Sequence, residues 1–411
     1  MDYQAALEQL YHLERFGIKL GLDNIRRLLA LLGNPHEGLK AVHVTGTNGK
    51  GSVCSYAASA LQRAGYRVAL YTSPHLVRFN ERIQVDGVPI SDADLLRLWD
   101  GIQPAIREMD GERAVNRPTF FEVTTAMAFQ YFRERGVDVA AIEVGMGGRF
   151  DATNAIDGLV AVVGRVGLEH TEHLGRTVDR IAREKAGIIK PTSRAVTVDQ
   201  EALSVIAERC RELATPLTVV GHDVHVERIS QDLSGQRLRV RGGFGALELK
   251  TPLLGSFQME NVGLAVAALA ELRQAGVEVG DEAIIRGIAA TRWPARLEKI
   301  REHPLVFVDG AHNGPAAQAL GRAYSELFPG RKCILVTGIL ADKDLSTIAA
   351  SLGPLANRVI ACRPKSHRAY APEEVASAFR KHAPSEVVPS VADAIDAALR
   401  GAGVDDIVLI T

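Results

Sequence analysis

Short apolar runs alternate with helix-period patterns along most of this chain. Residues 41–44 form an apolar run that predicts a buried strand, and Val53, Tyr56 and Ala57 then recur at helical spacing. The same alternation predicts strands at 67–71, 138–144 and 159–163 and helices at 3–15, from Asp23 to about Gly33, at 121–135 and at 177–187. Strands that alternate with helices favour a mainly parallel sheet.

The alternation changes in residues 217–251 and restarts after residue 296. The short, broken strand-like runs of 217–251 predict an antiparallel flap at the edge of the first domain. After a helix at 259–274, strands are predicted near 305–308, 332–337, 357–361 and 406–410, and helices near 315–327, 371–381 and 391–400. We therefore predict an α/β fold with a first domain over residues 1–295 and a smaller doubly wound domain over 296–411.

The composition is that of a globular protein without a strong charge bias. The 411 residues include 48 Lys and Arg against 49 Asp and Glu, so no global field favours nucleic acid or a membrane surface. The four cysteines form no Cys-x-x-Cys pair, which predicts reduced thiols and a cytoplasmic location rather than a zinc site. No stretch approaches the ~20 apolar residues of a membrane-spanning helix, and the N-terminus lacks a signal-peptide core.

A glycine-rich turn, GTNGKGS at 46–52, follows the first predicted strand and precedes a helix. This is the context of a phosphate-binding loop, because glycines let backbone N–H groups approach phosphate oxygens. The spacing differs from the usual Walker pattern, since Gly51 separates Lys50 from Ser52. An ordinary glycine turn is the alternative, but the lysine, the hydroxyl and the flanking elements together favour ATP binding. The candidate ATP-binding residues here are Thr47, Asn48, Gly49, Lys50, Gly51 and Ser52.

Three polar residues, Ser73, Glu143 and His170, come at or just after the ends of predicted strands. Open α/β sheets place their ligand-binding groups at that edge. A hydroxyl, a carboxylate and an imidazole form a suitable set for Mg²⁺ or Mn²⁺ beside a nucleotide. Each is a weak signal alone, because a lone histidine is more often a hydrogen-bonded structural group.

Further polar residues have both a functional and a structural interpretation. Lys185 lies on a predicted helix, where a solvated side chain is the simpler interpretation. Asp309 and His312 follow a predicted strand, and the alternative is a turn whose Asn313 caps the next helix. Arg296 is a candidate for a phosphate contact or a surface arginine. These residues predict an ATP-using enzyme with its site between two α/β domains, and leave kinase, ATPase and ligase open.

Longer motifs occur in a fixed order over nearly the whole chain. They are GTNGKGS at 46–52, YTSPHL at 71–76, RFNERI at 78–83, EVGMGGRFDATN at 143–154, GLEHTEHLG at 167–175, EKAGIIK at 184–190, WPARLE at 293–298 and DGAHN at 309–313. Together they resemble the folylpolyglutamate synthase/dihydrofolate synthase family of the Mur ligase superfamily. The resemblance implies a P-loop, Mur-ligase-like ATP-binding first domain and a mobile, Rossmann-like C-terminal glutamate-ligase domain.

The resemblance also implies an activity and site residues. ATP would phosphorylate a folate or dihydropteroate carboxylate, and the amine of L-glutamate would attack the acyl phosphate. The implied catalytic residues are Lys50, Glu143, His170 and Lys185, and the implied Mg²⁺ ligands are Ser73, Glu143 and His170. The further implied ATP contacts are Asn261, Arg296, Asp309 and His312. The implied folate or pteroate contacts are Thr119, Phe121, Glu122 and Asp151. Lys185 matches a lysine that is carbamylated in the family. Leu20-Gly21-Leu22 matches a segment that closes over the pterin.

The expected cofactors are ATP and Mg²⁺, with a monovalent cation as a further candidate, and the family implies a monomer. The sequence departs from the family at Glu169, Ala295 and Gly314, and the family continues with a further strand beyond Thr411. Two alternatives stay open. One is a Mur ligase acting on a UDP-sugar peptide, which needs an N-terminal UDP-binding domain that residues 1–40 are too few to form. The other is a non-catalytic nucleotide-binding regulator, against which the set of candidate catalytic residues argues.

Overall fold

The computed structural model describes residues 2–13, 21–111 and 117–411, which form two compact units. The first unit comprises Met1–Glu227, Arg239–Leu249 and Glu260–Thr291, and the second comprises Arg228–Leu238, Lys250–Met259 and Arg292–Thr411. The main boundary thus lies a few residues before the predicted one at 295 and 296. Leu20, in the segment predicted to close over the pterin, lies outside the described residues, as does the end of the helix predicted at 3–15.

The first unit is built on a mainly parallel sheet. Its strands in the described residues are β1 (Ala41–Thr45), β2 (Val68–Tyr71), β3 (Ile83–Val85), β4 (Val88–Pro89), β5 (Val139–Glu143), β6 (Val160–Val163), β7 (Arg194–Val198) and β8 (Leu217–Val220), in the order β4-β3-β2-β5-β1-β6-β7-β8. The pairs β2–β3 and β3–β4 are antiparallel, and the other five pairs of neighbouring strands are parallel. The predicted α/β fold class is therefore confirmed.

Strand β1 lies at the centre of this sheet, between β5 and β6. All five of its residues are buried, and in the ladder Val44 pairs with Glu143 while Thr45 pairs with Val163. A parallel strand covered on both faces is a continuous apolar run, which explains why the sequence pattern located it. The carboxyl ends of β1, β5 and β6 meet at one edge of the sheet, where the chain continues into the glycine-rich turn.

Helices cover both faces of the sheet. They are α1 (Tyr3–His12), α2 (Asp23–Leu31), α3 (Lys50–Arg63), α4 (Asp92–Asp110), α5 (Phe120–Glu134), α6 (Thr171–Leu174), α7 (Val178–Ala186), α8 (Leu203–Leu213), α9 (Phe257–Gln274) and α10 (Asp281–Ala290). Several begin at capping side chains, as where Ser91 Oγ accepts from the Asp94 N–H at 3.0 Å. Helix α10 lies directly on α3, since a Cβ at Gly287 would collide with the backbone of Ala60.

The predicted flap differs from the structure in two ways. Its first four residues, 217–220, belong to the parallel sheet as β8, which pairs with β7. The remainder forms a three-stranded sheet of β9 (His225–Asp232), β10 (Gly235–Gly242) and β11 (Gly245–Thr251), in the order β11-β10-β9. The two-residue connections make it antiparallel, as predicted. Residues 228–238 and 250–259 group with the second unit, so the flap is not simply an edge of the first domain.

The second unit has its own sheet. Its strands are β12 (Glu298–Arg301), β13 (Leu305–Val308), β14 (Cys333–Thr337), β15 (Ala356–Arg363), β16 (Ser385–Ser390) and β17 (Ile407–Ile410), in the order β12-β13-β17-β14-β15-β16. Only β12 is antiparallel to its neighbour. The helices are α11 (Gly314–Leu327), α12 (Leu345–Leu352), α13 (Pro372–Phe379) and α14 (Val391–Gly401). No helix among the described residues is long and apolar enough to cross a bilayer.

Candidate active site

The glycine-rich loop connects β1 to α3 at the carboxyl edge of the main sheet. Helix α3 begins at Lys50, so its N-terminal N–H groups lie where the loop ends. Gly49, just before it, has a left-handed φ of 85°. The side-chain oxygen of Asn261 occupies the space that a Cβ at residue 49 would need. Glycine is therefore required at position 49 both by the left-handed backbone and by the close approach of Asn261. Asn261, a predicted ATP contact, thus lies against the glycine-rich loop.

Side chains and backbone atoms brace this loop against the segments that follow β5 and β6. Thr45 Oγ1 donates to the Gly147 carbonyl oxygen at 2.6 Å, which ties the end of β1 to the loop after β5. Thr47 Oγ1 accepts from the Gly167 N–H at 2.9 Å, and the Thr47 N–H donates to the Arg165 carbonyl oxygen at 2.9 Å. The backbone of the glycine-rich loop is thus fixed by hydrogen bonds to residues outside the loop.

Two lysine ammonium groups meet at one carbonyl oxygen of this loop. Lys50 Nζ donates to the carbonyl oxygens of Gly46 at 3.1 Å and Thr47 at 3.0 Å. Lys185 Nζ, from α7, donates to the same Gly46 oxygen at 2.8 Å. The structure therefore brings together two of the predicted catalytic residues, which are far apart in sequence.

Lys185 is buried, with 3% of its surface exposed, so the solvated-helix interpretation is wrong. The pKa of Lys185 is lowered from 10.5 to about 7, chiefly by burial and also by the nearby charge of Lys50, while Glu169 and Asp151 act in the opposite direction. A lysine in this state holds a substantial neutral fraction near pH 7. Its nitrogen is then a nucleophile rather than only a charged donor.

Of the three predicted metal ligands, the structure brings Ser73 and Glu143 together. The Ser73 N–H donates to Glu143 Oε2 at 3.1 Å, and the Glu143 side chain is buried at the end of β5. His170 is exposed and has a left-handed φ of 50° at the start of α6, with Nε2 3.9 Å from Glu169 Oε1. Among the described residues, no three His, Cys, Asp or Glu side chains cluster as metal ligands. The predicted set holds only two such residues, so its role stays a prediction.

Asp151 is the end of a buried hydrogen-bond chain that the sequence analysis missed. Its Oδ1 accepts from Thr153 Oγ1 at 2.5 Å, and its Oδ2 accepts from the Met146 N–H at 2.9 Å. Because the Thr153 hydroxyl gives its one proton to Asp151, it must accept from His43 Nε2, 2.8 Å away. Burial lowers the pKa of His43 to about 3, which keeps the ring neutral. The sequence feature that could have identified His43 is its place as the single histidine within the apolar run of β1.

The same chain shows what Asp151 does in the fold. Burial raises the pKa of Asp151, while hydrogen bonds from Thr153 and from the N–H groups of Met146 and Gly145 favour its anion. The two carboxylate oxygens of Asp151 thus stabilise the loop that follows β5. A direct contact of Asp151 with a pterin stays a prediction.

The other predicted pterin-side residues lie at the start of α5. Thr119 and Glu122 form a capping box, in which Glu122 Oε2 accepts from the Thr119 N–H at 2.7 Å and Thr119 Oγ1 accepts from the Glu122 N–H at 3.3 Å. The ring of Phe121 packs on Gly145, where an added Cβ would lie only 2.5 Å from it. The centroids of the Phe121 and Tyr71 rings are 6.1 Å apart. These residues shape the rim of the loop after β5.

The second unit holds the remaining predicted ATP contacts. Asp309 is buried after β13 and accepts from the N–H groups of Leu297 at 2.7 Å and Ala311 at 2.8 Å. Burial raises the pKa of Asp309 to about 6, against the opposing charge of Arg296. His312 Nδ1 lies 2.9 Å from the Gly310 carbonyl oxygen and therefore carries the proton.

These residues line part of a cavity of about 150 Å³ at the carboxyl edge of the second sheet. Asp309 and His312 form one side of it, and the segment from Gly338 to Lys343 forms another. Arg296 lies next to Gly310, and its Nη1 donates to the Ala295 carbonyl oxygen at 2.8 Å. Asn313 caps α11 by accepting from the Ala316 N–H, so the turn interpretation of this motif is confirmed. Its ATP contacts stay a prediction.

Two family models match this chain in consecutive regions. The Mur ligase middle domain matches residues 44–269, and the Mur ligase glutamate ligase domain matches residues 295–411. The first includes the glycine-rich loop, Glu143, His170 and Lys185, and the second includes Asp309 and His312. Both halves of the expected architecture are therefore present.

Characterised relatives and solved structures agree over nearly the full length. The dihydrofolate synthase/folylpolyglutamate synthase of Bacillus subtilis is 37% identical over 364 residues, covering 87% of this chain and 84% of the relative. That of Escherichia coli is 33% identical, covering 98% and 91%. Folylpolyglutamate synthase of Mycobacterium tuberculosis complexed with ADP superposes with a TM-score of 0.90 at 32% identity, covering 100% and 96%. E. coli FolC in complex with DHPP and ADP gives 0.88 at 33% identity, covering 98% and 94%. The chain therefore belongs to the folylpolyglutamate synthase/dihydrofolate synthase family of Mur ligases, the ATP-dependent glutamate ligases.

Proposed function

We propose that this chain joins L-glutamate to the carboxylate of a folate, of dihydropteroate, or of both. The γ-phosphoryl group of ATP passes to a carboxylate oxygen of the acceptor, and ADP leaves. The glutamate nitrogen then bonds to the acyl carbon, the C–O bond to phosphate breaks, and the nitrogen gives up a proton. A Mur-type ligase with a different acceptor is the alternative, and the names of the relatives favour the folate acceptors.

The observation that carries this proposal is the meeting of Lys50 and Lys185 at the Gly46 carbonyl oxygen, at distances of 3.1 and 2.8 Å. It places two nitrogen groups beside a loop whose backbone N–H groups suit phosphate oxygens. Lys50 would interact with the negative charge that grows on the transferred phosphoryl group, and such an interaction lowers the barrier selectively.

Mg²⁺ is part of the proposal, and two of its three proposed ligands, Ser73 and Glu143, fit it. Glu143 offers a buried carboxylate at the sheet edge, the Ser73 hydroxyl lies on the segment hydrogen-bonded to it, and Mg²⁺ prefers oxygen ligands. Glu143, Ser73 and His170 would hold the ion. When bound, it would supply positive charge beside the ATP phosphates. The Ser73 N–H donates to Glu143 Oε2 and so helps to orient this carboxylate.

A carbamate on Lys185 is the second part of the proposal. Carbamylation needs a neutral amine, and burial lowers the pKa of Lys185 to about 7. The carbamate would replace a buried cation by an anion with two acceptor oxygens, next to the ammonium of Lys50. That exchange removes the repulsion between the two lysines, which favours the modified form.

In the second unit, Arg296, Asp309 and His312 are proposed to contact the nucleotide. The raised pKa of Asp309, about 6, leaves it mostly ionised at neutral pH, with both oxygens able to accept hydrogen bonds. Asp309 is anchored by the Leu297 and Ala311 N–H groups, which fixes the turn that carries His312. Their contribution is to position the nucleotide rather than to perform chemistry.

The acceptor is tested by supplying dihydropteroate and a reduced folate separately, with ATP and L-glutamate. We expect ADP release that depends on both glutamate and one of these acceptors. Lys50→Ala should lower kcat by at least about 100-fold, because the lost interaction acts mainly in the transition state. The control is Lys40→Ala at an exposed lysine just before β1, which should retain wild-type rates. ADP release only with a UDP-sugar peptide would replace this proposal, and a Lys50→Ala enzyme with unchanged kcat would refute the role of Lys50.

The metal site is tested by titrating Mg²⁺ in Glu143→Ala and His170→Ala. Each variant should need a higher Mg²⁺ concentration for half-maximal rate, because each loses one proposed ligand. His173→Ala, three residues from His170 on α6, is the matched control and should follow the wild-type titration. Unchanged Mg²⁺ titrations in both variants would remove Glu143 and His170 from the metal site.

A further inference from the structure

The end of β15 and the loop that follows it carry three cationic side chains and a histidine that the proposed reaction does not use. We call Arg363, Lys365, His367 and Arg368 the basic rim, and all four side chains are exposed. They fall within six consecutive residues, at the carboxyl end of a strand of the second sheet. In open α/β sheets this is the edge at which ligands bind.

Backbone contacts attach the rim to the loop that follows β14. The Tyr370 N–H donates to the Ile339 carbonyl oxygen at 2.9 Å, and the Ala341 N–H donates to the Arg368 carbonyl oxygen at 2.6 Å. Leu340 and Ala369 form an antiparallel bridge between these two bonds. The cations are therefore carried on a pinned segment rather than on a free loop.

The loop attached to the rim also lines the cavity beside Asp309 and His312. Residues from Gly338 to Leu340, and Lys343, form its wall on that side. The rim thus flanks the opening where the second unit presents its proposed nucleotide-site residues. A ligand group bound at the rim would lie next to this cavity, within the same unit.

The charge of the rim is largely uncompensated. In the described part of the chain, no acidic side chain forms a salt bridge with Arg363, Lys365 or His367. Asp342 pairs with Lys343 at 3.1 Å, and Arg368 contributes to lowering the pKa of Asp342. Asp342 is therefore shared between Lys343 and Arg368, and the basic rim keeps a net positive charge.

We propose that the basic rim binds the γ-glutamyl tail of a folate that already carries several glutamates. Each γ-linked glutamate leaves one free α-carboxylate, so the tail is a flexible row of like negative charges. Exposed arginine and lysine side chains spaced along a pinned segment suit such a row, because guanidinium groups bind carboxylates in a bidentate manner. The inference rests on the proposed folate acceptor, and adds which part of a longer acceptor the second unit recognises.

The test compares two matched double variants. Arg363→Gln/Lys365→Gln removes two rim cations, and Arg380→Gln/Lys381→Gln removes an exposed arginine and lysine that follow α13 and precede β16, at the opposite edge of the sheet. Binding of a fluorescent tetra-γ-glutamate peptide is measured over a range of salt concentrations. We expect binding about five- to twentyfold weaker in the rim variant at low salt, an unchanged affinity in the control, and a difference that shrinks as salt rises.

Turnover provides the second readout. The rim variant should have a raised KM for a tetraglutamyl folate and an unchanged KM and kcat for a monoglutamyl acceptor. Equal peptide binding by the two double variants would overturn the proposal. So would an inorganic triphosphate that competes with the peptide as well as unlabelled peptide does, since that marks a general anion surface. If the wild-type protein binds the peptide but adds no glutamate to any folate, the proposed function fails while the binding site stands.

Discussion

At the residue scale, Lys185 shows how far an environment can change a side chain's chemistry. Its helix position, beside Glu184 and near Arg183, is typical of a solvated lysine. In the fold its ammonium is buried against the Gly46 carbonyl oxygen, 139 residues away in sequence. Burial of a charged amine disfavours the charged form, so the pKa of Lys185 falls to about 7.

This lowered pKa predicts a pH-dependent effect on stability. Between about pH 7 and 10.5 the unfolded chain binds a proton at Lys185 that the folded chain has released, so the stability of the folded state rises with pH in that window. Lys185→Met removes the buried charge. Its stability relative to wild type should be greatest at pH 7 and below, and should fall by on the order of 2–4 kcal/mol towards pH 10.

The measurement is urea unfolding of both proteins in bicarbonate-free buffer across this pH range. The lost hydrogen bond to Gly46 adds a constant offset, so the trend with pH is the readout. Lys40→Met, at an exposed site, should show a flat difference. A flat difference for Lys185→Met as well would contradict a lowered pKa.

The proposed carbamate predicts a separate observation at the same residue. The intact, folded protein kept in bicarbonate should gain the mass of one CO₂, and Lys185→Ala should not, because the neutral amine adds CO₂ with loss of a proton. Lys185→Ala should lower kcat more than it weakens ATP binding, and a short carboxylic acid should partly restore the rate. An unmodified Lys185 in a fully active enzyme would return this lysine to a purely structural role.

At the element scale, helix ends show where local sequence and structure disagree. Helix α8 ends at Leu213, and its C-cap residue Ala214 adopts a left-handed conformation with φ of 54° and ψ of 33°. Glycine is the usual residue at such a position, because a Cβ is strained there. The Ala214 side chain is exposed, so nothing in the packing requires its methyl group.

Ala214→Gly should therefore stabilise the first unit by up to about 1 kcal/mol. The control is Ala207→Gly in the middle of the same helix, which should destabilise by about 1 kcal/mol because glycine is a poor helix former. Thermal unfolding of the two variants against wild type distinguishes them. A destabilised Ala214→Gly protein would mean that the cap conformation is not strained.

At the scale of the whole molecule, the second unit is discontinuous in sequence. Its core includes Leu254, which is 3% exposed and packs in one cluster with Phe307, Tyr324 and Leu335. Leu254 lies well before the main boundary at Thr291–Arg292. Residues 250–259 therefore belong to the second unit, although the sequence analysis assigned them to the first domain.

This predicts where a core mutation will act. Leu254→Ala should destabilise the second unit by about 2–5 kcal/mol and lower the hydrogen-exchange protection of β13, β14 and β17. Leu247→Ala, at a residue 4% exposed in the part of β11 that belongs to the first unit, is the matched control. It should leave protection in those three strands unchanged. Loss of protection in β1 and β5 from Leu254→Ala, with β13 unaffected, would contradict the division into units.

The sequence by itself determined most elements and the position of the glycine-rich loop. Strand β1, helix α3 and four strands of the second unit, β13, β14, β15 and β17, were predicted because a buried parallel strand is a continuous apolar run and an amphipathic helix repeats every 3.6 residues. Strands β12 and β16, at the two edges of that sheet, were missed. The turn at 46–52 was found because its glycines and lysine are consecutive. The family motifs, in their order, indicated the ligase chemistry.

The tertiary structure alone decided which distant residues meet. That Lys185 contacts Gly46, that Asn261 fills the space beside Gly49, and that His43 completes the chain to Asp151 all depend on packing between separate elements. The same holds for β8, which joins the parallel sheet through β7 although its local pattern resembles the flap. Local periodicity records only which face of an element is buried, so the burial that shifts the pKa of Lys185 had no signature in its own helix.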